Sequence, residues 1–278
     1  MTDSPRRCAV LGSPVGHSLS PVLHRAGYAA VGLDWSYDGR EVTEAGLAGF
    51  LDGLDATWRG LSLTMPLKRA VMPLLDDVSP RAAQAQAANT VILEAGRRVG
   101  HNTDITGAAT AIRERHAEPL DRATILGGGA TAASVLLSLA DLGCRQVTLV
   151  VRDTGRARET LEAAGRHPAA PGVDVRTFAS PPTPPAPTDI LVSTIPAVAQ
   201  TPAVVALAAE AAVVFDVVYE PWPTPLATYA RSQGRTLVSG LDLLVHQAAE
   251  QFLLMTGVDA APVEAMRAAG ERVLAERG

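Results

Sequence analysis

The sequence predicts an α/β protein of two domains, and three observations carry that prediction. The stretch ATILGGGATAAS, residues 123–134, runs from a short apolar segment through Gly127, Gly128 and Gly129 into small residues that open a helix. Alternating strand and helix patterns begin at residue 7, long before that loop, so a separate α/β unit precedes it. The chain then ends in two long helical patterns, 242–256 and 261–276, with no strand after them, which suggests that it returns to the first domain. The expected division is 1–104 with 238–278 for one domain and 105–237 for a Rossmann-like domain.

In the glycine stretch the spacing is Gly127-x-Gly129-x-x-Ala132, the Ala-ended variant of the dinucleotide fingerprint. Each position answers a physical demand: a tight turn, a backbone close to a pyrophosphate, and close helix–strand packing. The free N–H groups and dipole of the following helix would face the phosphates. Small residues also fill ordinary tight βα turns, so the loop gains its weight from its neighbours.

Taken in order, RCAVLG (7–12) reads as a buried strand bounded by glycine and proline. Ser20-Pro21 fits a helix start, with Ser20 as N-cap and Pro21 at the first helical position. A strand at 35–37, a helix over 44–54 and a strand at 60–64 follow, then short helices to about residue 72 and over 80–87. Segments 89–94 and 98–102 form a hairpin turned at Ala95-Gly96, and a helix over 104–116 leads to the glycine loop. Beyond it come strand 123–126, helix 130–142, strand 146–151, helix 155–164 and a weaker strand at 173–177. The proline-rich 181–187 reads as a rigid surface loop, and strands at 189–193, 213–218 and 236–239 precede the final helices.

Composition narrows the function. At 278 residues with 47% hydrophobic and only 4% aromatic residues, the core is built from alanine, valine and leucine. A net charge of −5 with no Lys/Arg block argues against a nucleic-acid surface. No window approaches membrane-spanning length, and the apolar run after Arg6-Arg7 is cut too early by glycine and proline for a signal peptide. Cys8 and Cys144 lack metal-like spacing and read as reduced structural thiols, so a cytoplasmic protein without metal is expected.

Four polar blocks stand at strand ends, where open α/β sheets bind ligands: His17-Ser18-Leu19-Ser20, Ser62 to Lys68, Ala88-Asn89-Thr90 and Asn102-Thr103-Asp104. They offer hydroxyls, amides, a lysine and a carboxylate, a set suited to a small polyhydroxylated ligand. Lys68 and Asp104 make a candidate proton-transfer pair at a carbinol or carbonyl. Plainer readings stand beside these: Ser20 as a mere N-cap, Thr103 or Asp104 as a cap of the next helix, Lys68 as a solvated cation.

GSPVGHSLSPVLH, TMPLK, AANT, GHNTD, the glycine loop, DVVYEPWPTPL (216–226) and GLDLLVHQAAEQF (240–252) stand in the order and spacing of shikimate dehydrogenases. The resemblance runs from about residue 8 to residue 257, and on it the chain is identified as a member of the shikimate/quinate dehydrogenase family. It implies a substrate domain completed by C-terminal helices, an NADP(H)-binding domain, and reversible reduction of 3-dehydroshikimate to shikimate on the route to aromatic amino acids. It further implies that Ser18 and Ser20 hold the substrate carboxylate with Tyr219 near it, and that Thr64, Asn89, Asp104 and Gln247 bind ring hydroxyls. Lys68 would pass a proton to the carbonyl oxygen, assisted by Asp104, as hydride arrives. Cofactor contacts are implied at Gly127, Gly128, Gly129, Ala130, Arg152 and Gly240, and the working form as a monomer or homodimer.

Some positions depart from the family pattern. Ser62 and Leu63 stand where Asn is common in N-V-T-x-P, and serine reaches less far toward a substrate. Leu243 replaces a frequent methionine, a volume-conserving swap. Strand 146–151 ends in Val151-Arg152-Asp153, without the acid of an NAD-type ribose contact. Arg152, helped by Arg156 or Arg158, suits a 2′-phosphate, while Asp153 opposes one unless it turns away. The competing readings are an NAD-dependent quinate/shikimate dehydrogenase, which Ser20 argues against, a methylenetetrahydrofolate dehydrogenase, whose motifs these blocks do not resemble, and a nucleotide sensor without turnover.

Overall fold

The computed structural model describes residues 5–180 and 188–277, so the proline-rich 181–187 lies outside the described residues. The chain divides into two compact units, one running to Thr103 and resuming at Leu244, the other Asp104–Leu243. The α/β class expected from the sequence is the fold observed.

The first unit contains β1 (Arg7–Gly12), α1 (Ser20–Val31), β2 (Ser36–Glu41), α2 (Glu44–Asp52), β3 (Trp58–Leu63), α3 (Leu67–Ala70), β4 (Asp77–Val78), α4 (Pro80–Ala85), β5 (Thr90–Glu94) and β6 (Arg97–His101). These form a six-stranded sheet in the order β2-β1-β3-β5-β6-β4. β1 pairs parallel with β2 and β3, while β5 runs antiparallel to both β3 and β6. Side chains alternate across β3. Leu61 and Leu63 join Leu47 and Leu51 of α2 in one apolar layer, and Ser62 between them takes the opposite face.

The second unit continues with α5 (Asp104–Arg115), β7 (Arg122–Leu126), α6 (Ala130–Asp141), β8 (Gln146–Val151), α7 (Arg158–Gly165), β9 (Gly172–Thr177), β10 (Ile190–Ser193), α8 (Pro202–Val205), β11 (Val213–Asp216), α9 (Pro225–Ser232) and β12 (Thr236–Val238). Its sheet is parallel throughout, in the order β12-β11-β10-β7-β8-β9. This is the doubly wound Rossmann order, and the chain reverses direction across the sheet between β7 and β10, where such sheets bind ligands. Strands such as Ile190–Ser193 are buried at every residue because helices cover both faces.

Two helices complete the chain, α10 (Gly240–Thr256) and α11 (Val263–Arg277). α10 starts in the second unit and ends in the first, where α11 lies along α1. Gly27 of α1 makes this closeness possible: a Cβ there would sit 2.7 Å from the Phe252 ring and 3.4 Å from Met266. Filling that space with a methyl would overpack the layer, at a cost of roughly 1–3 kcal/mol.

Several local expectations need correction. Ser20 is not the N-cap of α1: Leu19 occupies that position, Ser20 is already helical, and the Ser18 hydroxyl accepts from the Ser20 N–H at 3.3 Å. The helix expected over 155–164 splits into a 3₁₀ turn, Thr154–Ala157, and α7. The Asp153 carboxylate accepts from Gly155 N–H at 2.7 Å and tightens that first turn. The short strand β4 carries no sequence signal; it exists by parallel pairing of Asp77 and Val78 with Val99 and Gly100.

Both cysteines are free and buried, and burial pushes each thiol up to about 11, so neither is a reactive thiolate at neutral pH. Among the described residues no helix is long and apolar enough to cross a membrane.

Candidate functional site

Backbone hydrogen bonds gather Thr64, Lys68 and Asn89 at one end of the first sheet. Thr64 N–H donates to Leu11 C=O at 2.9 Å, and Leu63 N–H to Asn89 C=O at 2.7 Å. Lys68 lies on the single turn α3, where its carbonyl accepts from Ala88 N–H at 2.8 Å. Gly12, the last residue of β1, has no Cβ for a reason: one built there would collide with Cγ2 of Thr64.

The side chains form a polar layer at this end. Asn89, 1% exposed, donates from Nδ2 to Thr103 Oγ1 at 2.9 Å and to Gln247 Oε1 at 3.2 Å. Its Oδ1 accepts from the Thr90 hydroxyl and the Thr103 N–H, both at 2.9 Å. Gln247 of α10 also donates from Nε2 to Leu244 C=O at 3.0 Å. Ser18 and Ser20 precede and open α1, Ser18 half-buried and Ser20 buried, near the positive end of that helix. Across β5–β6 from Thr90 stands His101, whose imidazole burial holds below its ordinary value.

The structure adds members that the motifs did not single out. Gln251, one helical turn beyond Gln247, donates from Nε2 to Thr90 Oγ1 at 2.9 Å and to Asn89 C=O at 3.2 Å. Its Oε1 accepts from the Ser62 hydroxyl at 2.7 Å, and Ser62 in turn accepts from the Tyr37 hydroxyl at 2.5 Å. Ser62, read above as a shortened substrate contact, thus has its hydroxyl engaged on both sides by protein. The four-residue spacing of Gln247 and Gln251 was the available signal, since it sets both amides on one helix face.

Other expected site residues lie in the second unit. Gly127 has φ +109° and its N–H donates to Val150 C=O at 2.9 Å; a side chain there would run into Thr194. Gly128 is closed off too, with Arg156 C=O 2.6 Å from where a Cβ would lie. Gly129, the N-cap of α6, faces open space, and Ala130 starts the helix. Ala132 is fully buried, as close helix–sheet packing requires. Arg152, Arg156 and Arg158 are exposed, and none forms an ion pair among the described residues.

Asp104 is the first residue of α5 and 5% exposed. Tyr219 lies between β11 and α9 on a segment whose two ends are tied to buried Asp216. Asp216 accepts from Thr224 Oγ1 at 2.6 Å, Gln200 Nε2 at 2.8 Å and Val218 N–H at 3.2 Å. Burial pushes its carboxyl up, while these donors hold it down. Gly240 lies tight against the Val217–Val218 backbone, where any Cβ would strike Val217 C=O.

Comparison with known proteins gives this arrangement its relatives. A profile of the shikimate dehydrogenase substrate binding domain matches residues 10–91, and one of the shikimate 5'-dehydrogenase C-terminal domain matches residues 240–269. Shikimate dehydrogenase (NADP(+)) of Moorella thermoacetica is 38% identical over 276 residues, covering 96% of this chain and 92% of that one. The chain belongs to the shikimate dehydrogenase family. Within that family, the crystal structure of Mycobacterium tuberculosis shikimate dehydrogenase superposes with a TM-score of 0.87 at 37% identity, covering 98% of this chain and all of the other. Quinate dehydrogenase from Corynebacterium glutamicum in complex with NAD superposes equally well, with a TM-score of 0.87 at 29% identity and coverage of 96% and 99%.

Proposed function

We propose that this protein is an NADP-dependent shikimate dehydrogenase of the cytoplasm that interconverts 3-dehydroshikimate and shikimate, working as a monomer or homodimer. The observation that carries the reading is the meeting of Asn89 and Gln247 beside Thr64 and Lys68, in a chain alike end to end to the Moorella thermoacetica enzyme.

The first unit takes the substrate. Ser18 and Ser20 hold its carboxylate by hydroxyl donation at the helix N-terminus. Thr64, Asn89 and Gln247 hydrogen-bond its ring hydroxyls, and Asp104 accepts from one. The second unit takes the dinucleotide. Open space at Gly129 and the free N–H groups of α6 fit a pyrophosphate, and Arg152, Arg156 and Arg158, exposed and without ion pairs among the described residues, fit a 2′-phosphate. Gly240 and Ala130 complete the cofactor contacts.

When bound, the nicotinamide supplies hydride to the substrate carbonyl carbon, or takes it back in the reverse direction. Lys68 gives a proton to the carbonyl oxygen, so that a neutral hydroxyl forms and the lysine is left as the amine. In oxidation Lys68 removes that proton. Asp104 assists as the second acid–base group, and the remaining contacts hold the ring so that little motion separates ground and transition states.

The NAD-bound quinate dehydrogenase among the solved relatives keeps a second reading open, NAD-dependent oxidation of quinate. Steady-state oxidation of shikimate and of quinate, each with NADP and with NAD, decides between them. A high kcat/KM only for shikimate with NADP is expected. Preference for NAD or for quinate moves the protein to the second reading, and nucleotide binding without turnover makes it a sensor.

A further inference from the structure

We infer that Tyr37 and Ser62 are positioning residues that fix which way the amides of Asn89 and Gln247 face, so that Gln247 presents an N–H to the substrate. The inference rests on the proposed role of those two amides as substrate ligands.

The argument is one of hydrogen-bond direction. The Tyr37 hydroxyl donates to Ser62 Oγ at 2.5 Å, and Ser62 passes its own hydrogen to Gln251 Oε1 at 2.7 Å. An amide oxygen only accepts, so this donation places the Gln251 NH₂ on the other side. There it donates to Asn89 C=O at 3.2 Å and to Thr90 Oγ1 at 2.9 Å. Thr90, having accepted, spends its hydrogen on Asn89 Oδ1 at 2.9 Å. Together with the Thr103 N–H, which donates to the same oxygen at 2.9 Å, this turns the Asn89 NH₂ toward Thr103 Oγ1 at 2.9 Å and toward Gln247, whose Oε1 accepts at 3.2 Å. With its oxygen taken, Gln247 gives one hydrogen of Nε2 to Leu244 C=O at 3.0 Å and keeps the second N–H for a ligand oxygen.

Every hydrogen bond in this line therefore points the same way, from β2 through β3, α10 and β5 and back to α10. Reversing one amide would set donor against donor or acceptor against acceptor, and water cannot intervene cheaply where no member is more than 7% exposed. His24 reinforces the polarity: its Nε2 lies 3.4 Å from Gln251 Oε1 and its ring stacks on Tyr37 at 4.1 Å. Ser62 lies inside β3, two residues before Thr64, and acts on the site while its hydroxyl touches only protein.

A double-mutant cycle tests this with initial rates of shikimate oxidation by NADP. Ser62→Ala removes the donor to Gln251 and is expected to raise the KM for shikimate by about 5- to 10-fold, with kcat within about 2-fold and the KM for NADP unchanged. Tyr37→Phe keeps the stacked ring and removes only the first donor, so about a 2- to 4-fold rise is expected. Because Tyr37 acts through Ser62, the double variant should match Ser62→Ala alone. An unchanged shikimate KM in Ser62→Ala overturns the inference, as do multiplying effects in the double variant. A parallel rise in the NADP KM with a lowered Tm overturns it too, since that marks general loosening. Failure of the unmutated protein to oxidise shikimate is a separate result: it removes the functional reading, and the inference with it.

Discussion

Asp153 points its carboxylate at the backbone of Gly155, accepting from that N–H at 2.7 Å and capping the turn that leads into α7. This bears on the conflict between Asp153 and Arg152 at the end of β8. One Asp153 oxygen is held in the cap, and Arg152 beside it is exposed and without an ion pair among the described residues. Arg152→Ala should raise the KM for NADP about 10-fold, the loss of one charge-assisted phosphate contact, and leave that for NAD within about 2-fold. Equal loss with both cofactors would remove the 2′-phosphate assignment.

Two of the loop glycines, Gly127 and Gly129, should separate by assay. Gly127→Ala meets both a left-handed φ of +109° and Thr194, and should lower stability by roughly 1–3 kcal/mol. Gly129→Ala meets nothing within 4 Å at a φ of −86°, so its Tm should stay near that of the parent. Its methyl instead enters the space proposed for the pyrophosphate, and the KM for NADP should rise at least about 10-fold. Thermal melts of the apo proteins together with NADP titrations check both statements. Weak NADP binding by Gly127→Ala alone, with Gly129→Ala unaffected, would place the phosphates elsewhere.

That contrast shows what kind of information a sequence holds openly. Gly127 and Ala132 were legible because a backbone demand confines each position to one or two residue types at fixed spacing. The order of strands and helices was legible because burial repeats with the period of each element. The Ser62–Gln251 bond joins residues 189 apart, and Tyr37–Ser62 residues 25 apart, so no local spacing marks either pair. Ser20 failed as an N-cap for a subtler reason. Serine and proline mark the start of a helix, but one residue of slip puts Leu19 at the cap and Ser20 inside the helix, where its N–H donates to the Ser18 hydroxyl.

Lys68→Ala tests the proton transfer. If the lysine acts on a proton in motion, kcat should fall by about 10²- to 10⁴-fold, with a much smaller change in the KM for shikimate. The backbone of Lys68 is held by Ala88 N–H whatever its side chain, so the fold should survive. Circular dichroism and NADP affinity serve as controls. A variant with near-normal kcat would take Lys68 out of the chemistry and leave it as a binding residue.

His24 predicts a pH dependence of stability. It is fully buried between Tyr37 and Phe252, and desolvation lowers its imidazole from 6.5 to about 3, despite the bond to Gln251. In the unfolded chain the same imidazole takes up its proton near pH 6.5, so below that pH unfolding binds a proton that the native state refuses. The stability contributed by the neutral ring is complete above about pH 6.5 and drains as pH falls toward 3, by about 1.4 kcal/mol per pH unit at full slope. His24→Phe keeps a ring against Tyr37 and removes the titration. The difference in urea-unfolding free energy, parent minus variant, should therefore shrink by roughly 2–3 kcal/mol between pH 6.5 and 4.5. Every other group is common to both proteins and cancels in that difference. Parallel curves across the window would mean that the imidazole accepts its proton inside the folded protein, and that the layer around Gln251 is open to water.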